Sequence, residues 1–157
     1  MDYIIRPISD GEESLLEDFL YEAIFVPEGV PAPTKSIINQ PELQVYVADF
    51  GKKKDDIGLF AEVDKRVVGA VWVRIMNDYG HIDDITPSFS ISLYKEYRKL
   101  GIGKALMEKM LHYLKLKGYE KASLSVQKEN YALRLYKNLG FQTVRETDEE
   151  YIMVKYL

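Results

Sequence analysis

Six consecutive residues, Arg98-Lys99-Leu100-Gly101-Ile102-Gly103, have the makings of an anion-binding turn. They follow an alternating run, Ser88-Phe89-Ser90-Ile91-Ser92-Leu93, that reads as a strand, and they open an amphipathic stretch predicted to be helical over residues 101–117. The first N–H groups of a helix have no intrahelical partner, and the macrodipole favours negative charge there. Gly101 and Gly103 carry no Cβ, so a phosphate can come close to the backbone. Two familiar phosphate motifs do not fit. A P-loop requires Gly-Lys-Ser/Thr, and here Gly103-Lys104 is followed by Ala105, with Arg98 at the earlier glycine position. The dinucleotide fingerprint requires a third small residue, and position 106 is Leu. What remains is Arg-x-x-Gly-x-Gly between a strand and a helix.

A second constellation follows. Ala122-Ser123-Leu124-Ser125-Val126 reads as a strand, and Asn130, Ala132, Tyr136, Gly140 and Phe141 punctuate the helical stretch after it. Together the two motifs resemble the GNAT superfamily of N-acetyltransferases, in which Arg-x-x-Gly-x-Gly binds the pyrophosphate of acetyl-coenzyme A. There, a strand, an Asn, an Ala-x-x-x-Tyr helix and Gly-Phe follow in that order. The resemblance covers nearly the whole chain and implies one domain over residues 1–157, with an α/β (α+β mixed sheet) GNAT-like fold. It also implies that the fourth and fifth strands are parallel and splayed apart to admit the pantetheine arm.

The site residues follow from that resemblance. Backbone groups of Leu100, Gly101, Ile102, Gly103, Lys104 and Ala105 would hold the pyrophosphate, with Arg98, Lys99 and Lys104 bringing positive charge. Backbone groups of Ile91 and Leu93 would pair with the pantetheine amides, and Asn130 would cap the helix and reach the same arm. Phe141 reads as core packing.

Acetyl transfer to an amine sets three demands. The acceptor must be neutral to attack, although a free alkyl amine has a pKa near ~10. The carbonyl oxygen must be stabilised as it gains charge. The departing thiolate benefits from a proton, and Tyr136 fits that role because a phenol with a pKa near ~10 stays protonated at neutral pH. The base is less defined. Members of that superfamily with a similar Asp-x-Thr-Pro stretch often carry an acidic residue just after the Pro, but here Asp84-Ile85-Thr86-Pro87 is followed by Ser88. Asp84, Asp83, His81, Glu62 and a chain of waters remain open, with Asp84 the named candidate. The absent carboxylate also leaves a competing reading, a non-catalytic coenzyme A-binding sensor with the same fold. On the acceptor side, the stiff loop Phe25-Val26-Pro27-Glu28-Gly29-Val30-Pro31 would wall the cleft, with Glu28 attracting a cationic amine. Tyr79 and Trp72 are candidates for the same wall, and Trp72 equally reads as core.

The elements needed to position these groups are legible in the periodicity. Strands are expected over residues 3–7, 57–63, 67–74, 88–93, 121–126, 141–146 and 150–156, and helices over 12–25, 34–38, 42–50, 101–117 and 131–138. The segment 77–84 reads as a loop, and His112 as a surface residue. A length of 157 residues suits one core. Net charge of −4 offers no basic field for nucleic acid, and no apolar run approaches the ~20 residues of a membrane span. Zero cysteines exclude disulfides and thiolate chemistry, and no metal is expected. A cytoplasmic protein acting on a small-molecule or protein amine is the expectation, with a homodimer through an edge strand compatible with the fold.

Overall fold

Asp64 and Lys65 both adopt positive φ (49° and 67°), the backbone of a two-residue hairpin turn. They join β2 (Ile57–Val63) to β3 (Arg66–Arg74), as the sequence predicts. A computed structural model describes residues 2–157 and builds outward from this hairpin. The other strands are β1 (Ile4–Pro7), β4 (Ser88–Leu93), β5 (Lys121–Gln127), β6 (Gln142–Glu146) and β7 (Glu150–Tyr156). Their order in the sheet is β1-β2-β3-β4-β5-β7-β6, and every pairing is antiparallel except β4 with β5.

Period-two alternation gives each face its own core. Leu59, Ala61, Val71 and Val73 face α3 (Ile102–Leu116), which buries Leu106, Met107, Met110 and Leu114 against them. Phe60, Ala70 and Trp72 face the opposite side, where α1 (Leu16–Glu22) contributes Leu16, Phe19 and Leu20. Trp72 is therefore core, fully buried, and not part of a cleft wall. The α4 helix (Ala132–Asn138) lies after β5.

Two expected helices are shorter than their periodicity suggests. Residues 12–25 form a 3₁₀ turn (Glu13–Leu15) and then α1, which stops at Glu22. The 42–50 helix is α2 (Pro41–Gln44), opened by Pro41 after the extended Gln40. It stops because its next carbonyls are taken by the sheet. Trp72 Nε1 donates to the Tyr46 carbonyl (3.0 Å), and Arg74 Nη1 donates to those of Val45 and Ala48 (3.1 and 2.9 Å). Arg74 is in turn paired with Asp56, and both side chains are almost wholly buried (6% and 1% exposed).

β4 and β5 meet at a single register pair, Ser88 with Ser123, and then diverge, which is the expected splay. Gly80 occupies the crotch of the fork. Its carbonyl accepts from Ser123 Oγ (2.7 Å), and a Cβ on it would lie 3.1 Å from the Leu124 and Ser125 backbone. Only a residue without a side chain can approach β5 so closely.

Candidate active site

The fork opens into a cleft of about 1190 Å³, bounded by β4, β5, the start of α3, α4, and the chain between α1 and α2. That exceeds a typical small-molecule pocket of about 300–1,000 Å³, so it has room for a cofactor arm and an acceptor together.

On the β4–α3 side, Lys99 (φ 62°) and Gly101 (φ 88°) turn the chain sharply into the helix. Among the described residues, the first-turn amides of Ile102, Gly103 and Lys104 have no acceptor within the chain. The Ala105 amide, expected among the anion donors, instead donates to the Gly101 carbonyl (3.2 Å) and is part of the helix ladder. Arg98 lines the cleft, but it is also structural. Its Nε donates to the Leu93 carbonyl (2.9 Å) and its Nη2 to that of Glu22 (3.3 Å), tying β4 to the end of α1. Lys99 lies over the Tyr131 ring, and Lys104 is exposed with only a loose pair to Glu108 (3.8 Å). Leu100 is half exposed, and Ile102 is buried in the core, so any contribution of theirs to an anion comes through the backbone. Ile91 and Leu93 lie along the β4 edge of the cleft.

From the other side, α4 brings Tyr136. Its ring is buried (8% exposed) edge-on to Phe141, and no group among the described residues bonds its hydroxyl. Burial raises the phenol well above its ordinary value, which keeps it protonated as a donor. Asn130 also lines the cleft and sets the start of α4. Its Oδ1 accepts from the Ala132 amide (2.9 Å), and its Nδ2 donates to Gln127 Oε1 (3.1 Å).

None of the carboxylates or the histidine expected as base reaches this cleft. Asp84 has a 98% exposed side chain and stands off the fork, 3.8 Å from His81. A base there would have to act through bulk water, and the structure gives it no support. Asp83 is engaged by the Ile85 amide (3.0 Å) and Lys121 (3.3 Å), and His81 Nδ1 is bonded to the Met76 carbonyl (2.7 Å). Glu62 belongs to an Arg6 pair on the β1–β2 edge (2.6 Å). Glu28 is exposed and lies off the cleft, although Phe25 and Val26 of its loop line the wall together with Tyr79.

Two other carboxylates lie near the fork, Asp78 beside Ser88 and Glu150 on the cleft wall, and Glu22 at the end of α1 also lines the cleft. Asp78 accepts from Ser88 Oγ (2.6 Å), and its other oxygen is buried without a partner. The serine standing where a carboxylate was expected therefore holds one delivered from the 77–84 loop. Glu150, at the start of β7, lines the cleft directly, opposite Gln127 of β5. Burial raises both acids above the usual carboxylate range. Between them the Tyr46 phenol is raised by burial and by the negative charge of Asp78 and Glu150. The signal for Glu150 was present in the pattern, since it shares a strand face with buried Ile152 and Val154.

Residues 20–141 match the family described as acetyltransferase (GNAT). Over 93 residues the chain is 34% identical to an N-alpha-acetyltransferase of Sulfurisphaera tokodaii, covering 54% of this chain and 56% of that protein. Over 89 residues it is 36% identical to a mycothiol acetyltransferase of Thermomonospora curvata, covering 55% of this chain and 28% of that protein. The chain thus spans roughly half or less of the curated relatives it matches. In structure it is similar to the PaiA N-acetyltransferase of Thermoplasma acidophilum in complex with coenzyme A (TM-score 0.74, 20% identity, 100% of both chains). It is also similar to a GNAT acetyltransferase of Streptococcus pneumoniae (TM-score 0.70, 19% identity, 99% of this chain and 100% of that one). At these identities the structural likeness speaks for the fold.

Proposed function

Since the chain belongs to the acetyltransferase (GNAT) family, we propose that it moves an acetyl group directly from acetyl-CoA to a primary amine of a small molecule or protein. The observation that carries this reading is the fork. Strands β4 and β5 part after one register pair, with open amides at the start of α3 on one side and the buried Tyr136 on the other. The pyrophosphate would rest on the Ile102, Gly103 and Lys104 amides at the positive end of α3, and the pantetheine arm along Ile91 and Leu93.

In the proposed reaction the acceptor ammonium first loses a proton. Its nitrogen then forms a bond to the acetyl carbonyl carbon. As the C–S bond breaks, the sulfur takes the Tyr136 proton, and the phenolate recovers one from the amide nitrogen as it neutralises. The net products are the N-acetyl amide, coenzyme A thiol and one proton released to solvent. The Asp78 and Glu150 carboxylates support the catalytic reading over the competing sensor reading, which rested on the serine at position 88.

A single domain over residues 1–157 and a cytoplasmic setting belong to the same proposal. No helix of the described residues is long and apolar enough to cross a membrane. The same proposal includes a homodimer through an edge strand, either β1 or β6, of which β6 is exposed along its whole length. Light scattering on the purified protein checks that last point.

Calorimetric titration with acetyl-CoA tests the reading. Binding in the range of typical cosubstrate affinities, below about 1 mM, is expected. No heat at that concentration overturns it.

A further inference from the structure

Resting on the reading above, we propose that Glu150 receives the acceptor's ammonium group and that the acceptor is a primary amine carried on an apolar, ring-sized body. The argument begins with what the cleft wall is made of. On the acceptor side it is formed by Phe25, Val26, Val30 and Leu43 from the chain around α2, with the Tyr46 and Tyr79 rings beside them. No lysine or arginine stands among these residues. The carboxylates bordering the cleft are Glu150 and, at the end of α1, Glu22, and the charge of Asp78 also reaches the Tyr46 phenol. An apolar wall ending in a negative point suits a ligand with one cationic end and a hydrophobic remainder. A ligand with several cationic centres would bury those not met by Glu150 or Glu22 against Phe25 and Val26 without a counter-charge, which is costly.

The polar groups on this face are aimed in the same direction. Ser123, Ser125 and Gln127 alternate along β5 on the side that carries Glu150, Ile152 and Val154 of β7. Ser88, Ser90 and Ser92 alternate along β4. Ser88 is bonded to Asp78, Ser92 to the Phe19 carbonyl (2.6 Å), and Ser123 to the Gly80 carbonyl. Ser90 is different. Its buried Oγ has no partner among the described residues, and the residue borders the cleft. A buried hydroxyl left unbonded at the cleft wall is a ready partner for a ligand N–H.

Position is fixed by the fold and not by the loop alone. Tyr46 lies two residues past the end of α2, and its carbonyl and those of Val45 and Ala48 are held by Trp72 and Arg74. The ring that orients the acceptor is thereby tied to two buried side chains of β3. In the reaction, Glu150 takes one proton from the ammonium, and the neutral nitrogen is left facing the fork where the thioester would lie.

The test uses the full chain with acetyl-CoA and three amines, 2-phenylethylamine, spermidine and a short lysine-containing peptide, following thiol release. The expected kcat/KM for 2-phenylethylamine exceeds that for spermidine by about 10-fold or more. Glu150→Gln is expected to lower it by about 100-fold or more while leaving the Kd of acetyl-CoA unchanged, which also shows that the variant is folded. Val26→Asp, which puts a second negative group on the apolar wall, should shift preference towards spermidine. Equal or better use of spermidine or the peptide by the unmodified protein overturns the proposal. So does an active Glu150→Gln, or acetyl-CoA binding without transfer to any of the three. Failure to bind acetyl-CoA is the separate result that overturns the acetyltransferase reading itself.

Discussion

The cofactor side of the cleft is nearly one continuous piece of chain, whereas its acceptor side is gathered from four. Ser88 to Lys104 runs as strand, turn and helix start, and α4 completes the wall with Tyr136 and Asn130. The acceptor wall takes Phe25 and Val26 after α1, Tyr46 after α2, Tyr79 from a loop, and Glu150 from β7. The first side works through backbone amides and a helix terminus, which local geometry supplies. The second works through side chains whose positions depend on distant clamps, above all the buried Arg74–Asp56 pair and the Gly80 wedge. Binding of the cofactor and recognition of the acceptor should therefore fail independently.

Tyr136→Phe is the sharpest way to separate chemistry from both. Phe keeps the ring that packs on Phe141 and removes only the hydroxyl, which bonds nothing among the described residues. Turnover should fall by about 10²–10⁴-fold with the acetyl-CoA Kd unchanged, measured by thiol release and calorimetry. Unchanged turnover removes Tyr136 as the acid. Asp56→Asn attacks the acceptor side alone. It leaves the Arg74 guanidinium buried without its counter-charge, at a cost of about 3–5 kcal/mol in denaturant unfolding. Acceptor KM should rise with it, while the amides at the start of α3 are untouched. Equal loss of cofactor binding would show that the two sides are one unit.

The difference in construction also decides what could be read in advance. The Arg98-to-Gly103 turn and the Asn130-to-Phe141 stretch are short-range patterns, so their places in the fold follow from spacing. Even there, Arg98 turned out to bond Glu22, a partner 76 residues away that no local pattern contains. The acceptor side has no such signature. Asp78 lies in a segment that reads simply as a loop, and it becomes a buried acid only because β4 presents Ser88 to it. Asp84, more conspicuous before Thr86-Pro87, points to solvent. A helix through residues 42–50 was suggested by periodicity and was overridden by Arg74 and Trp72.

Gly103 offers a probe of the cofactor side with little effect on the fold. A Cβ at this position would meet Leu93 Cδ1 at 3.5 Å, an ordinary contact, and the residue borders the cleft. Gly103→Leu should therefore weaken acetyl-CoA by about 10-fold or more through occlusion, with thermal stability kept or slightly raised, since glycine costs about 1 kcal/mol in a helix. Loss of stability in step with affinity would mean that the turn, and not the space beside it, is what the glycine serves.

The smallest effect should come from Asp78, and its sign is informative. Burial raises this carboxyl above its unfolded value, with the Ser88 bond opposing the shift. The protonated form is thus favoured by the fold. That contribution is fully present below the unfolded pKa of about 3.9, and it is lost as pH rises through the raised value in the native state. Asp78→Asn keeps an oxygen for Ser88 and removes the charge. Its Tm should exceed that of the unmodified protein at pH 7, and the difference should shrink as pH is lowered to about 4. Spermidine turnover, where measurable, should fall with the lost negative charge more than that of 2-phenylethylamine, whose single ammonium rests on Glu150. A variant that is less stable at pH 7 than at pH 4, relative to the unmodified protein, would mean that the ionised Asp78 is supported by contacts stronger than the Ser88 bond. The acceptor side would then be as pre-organised as the cofactor side.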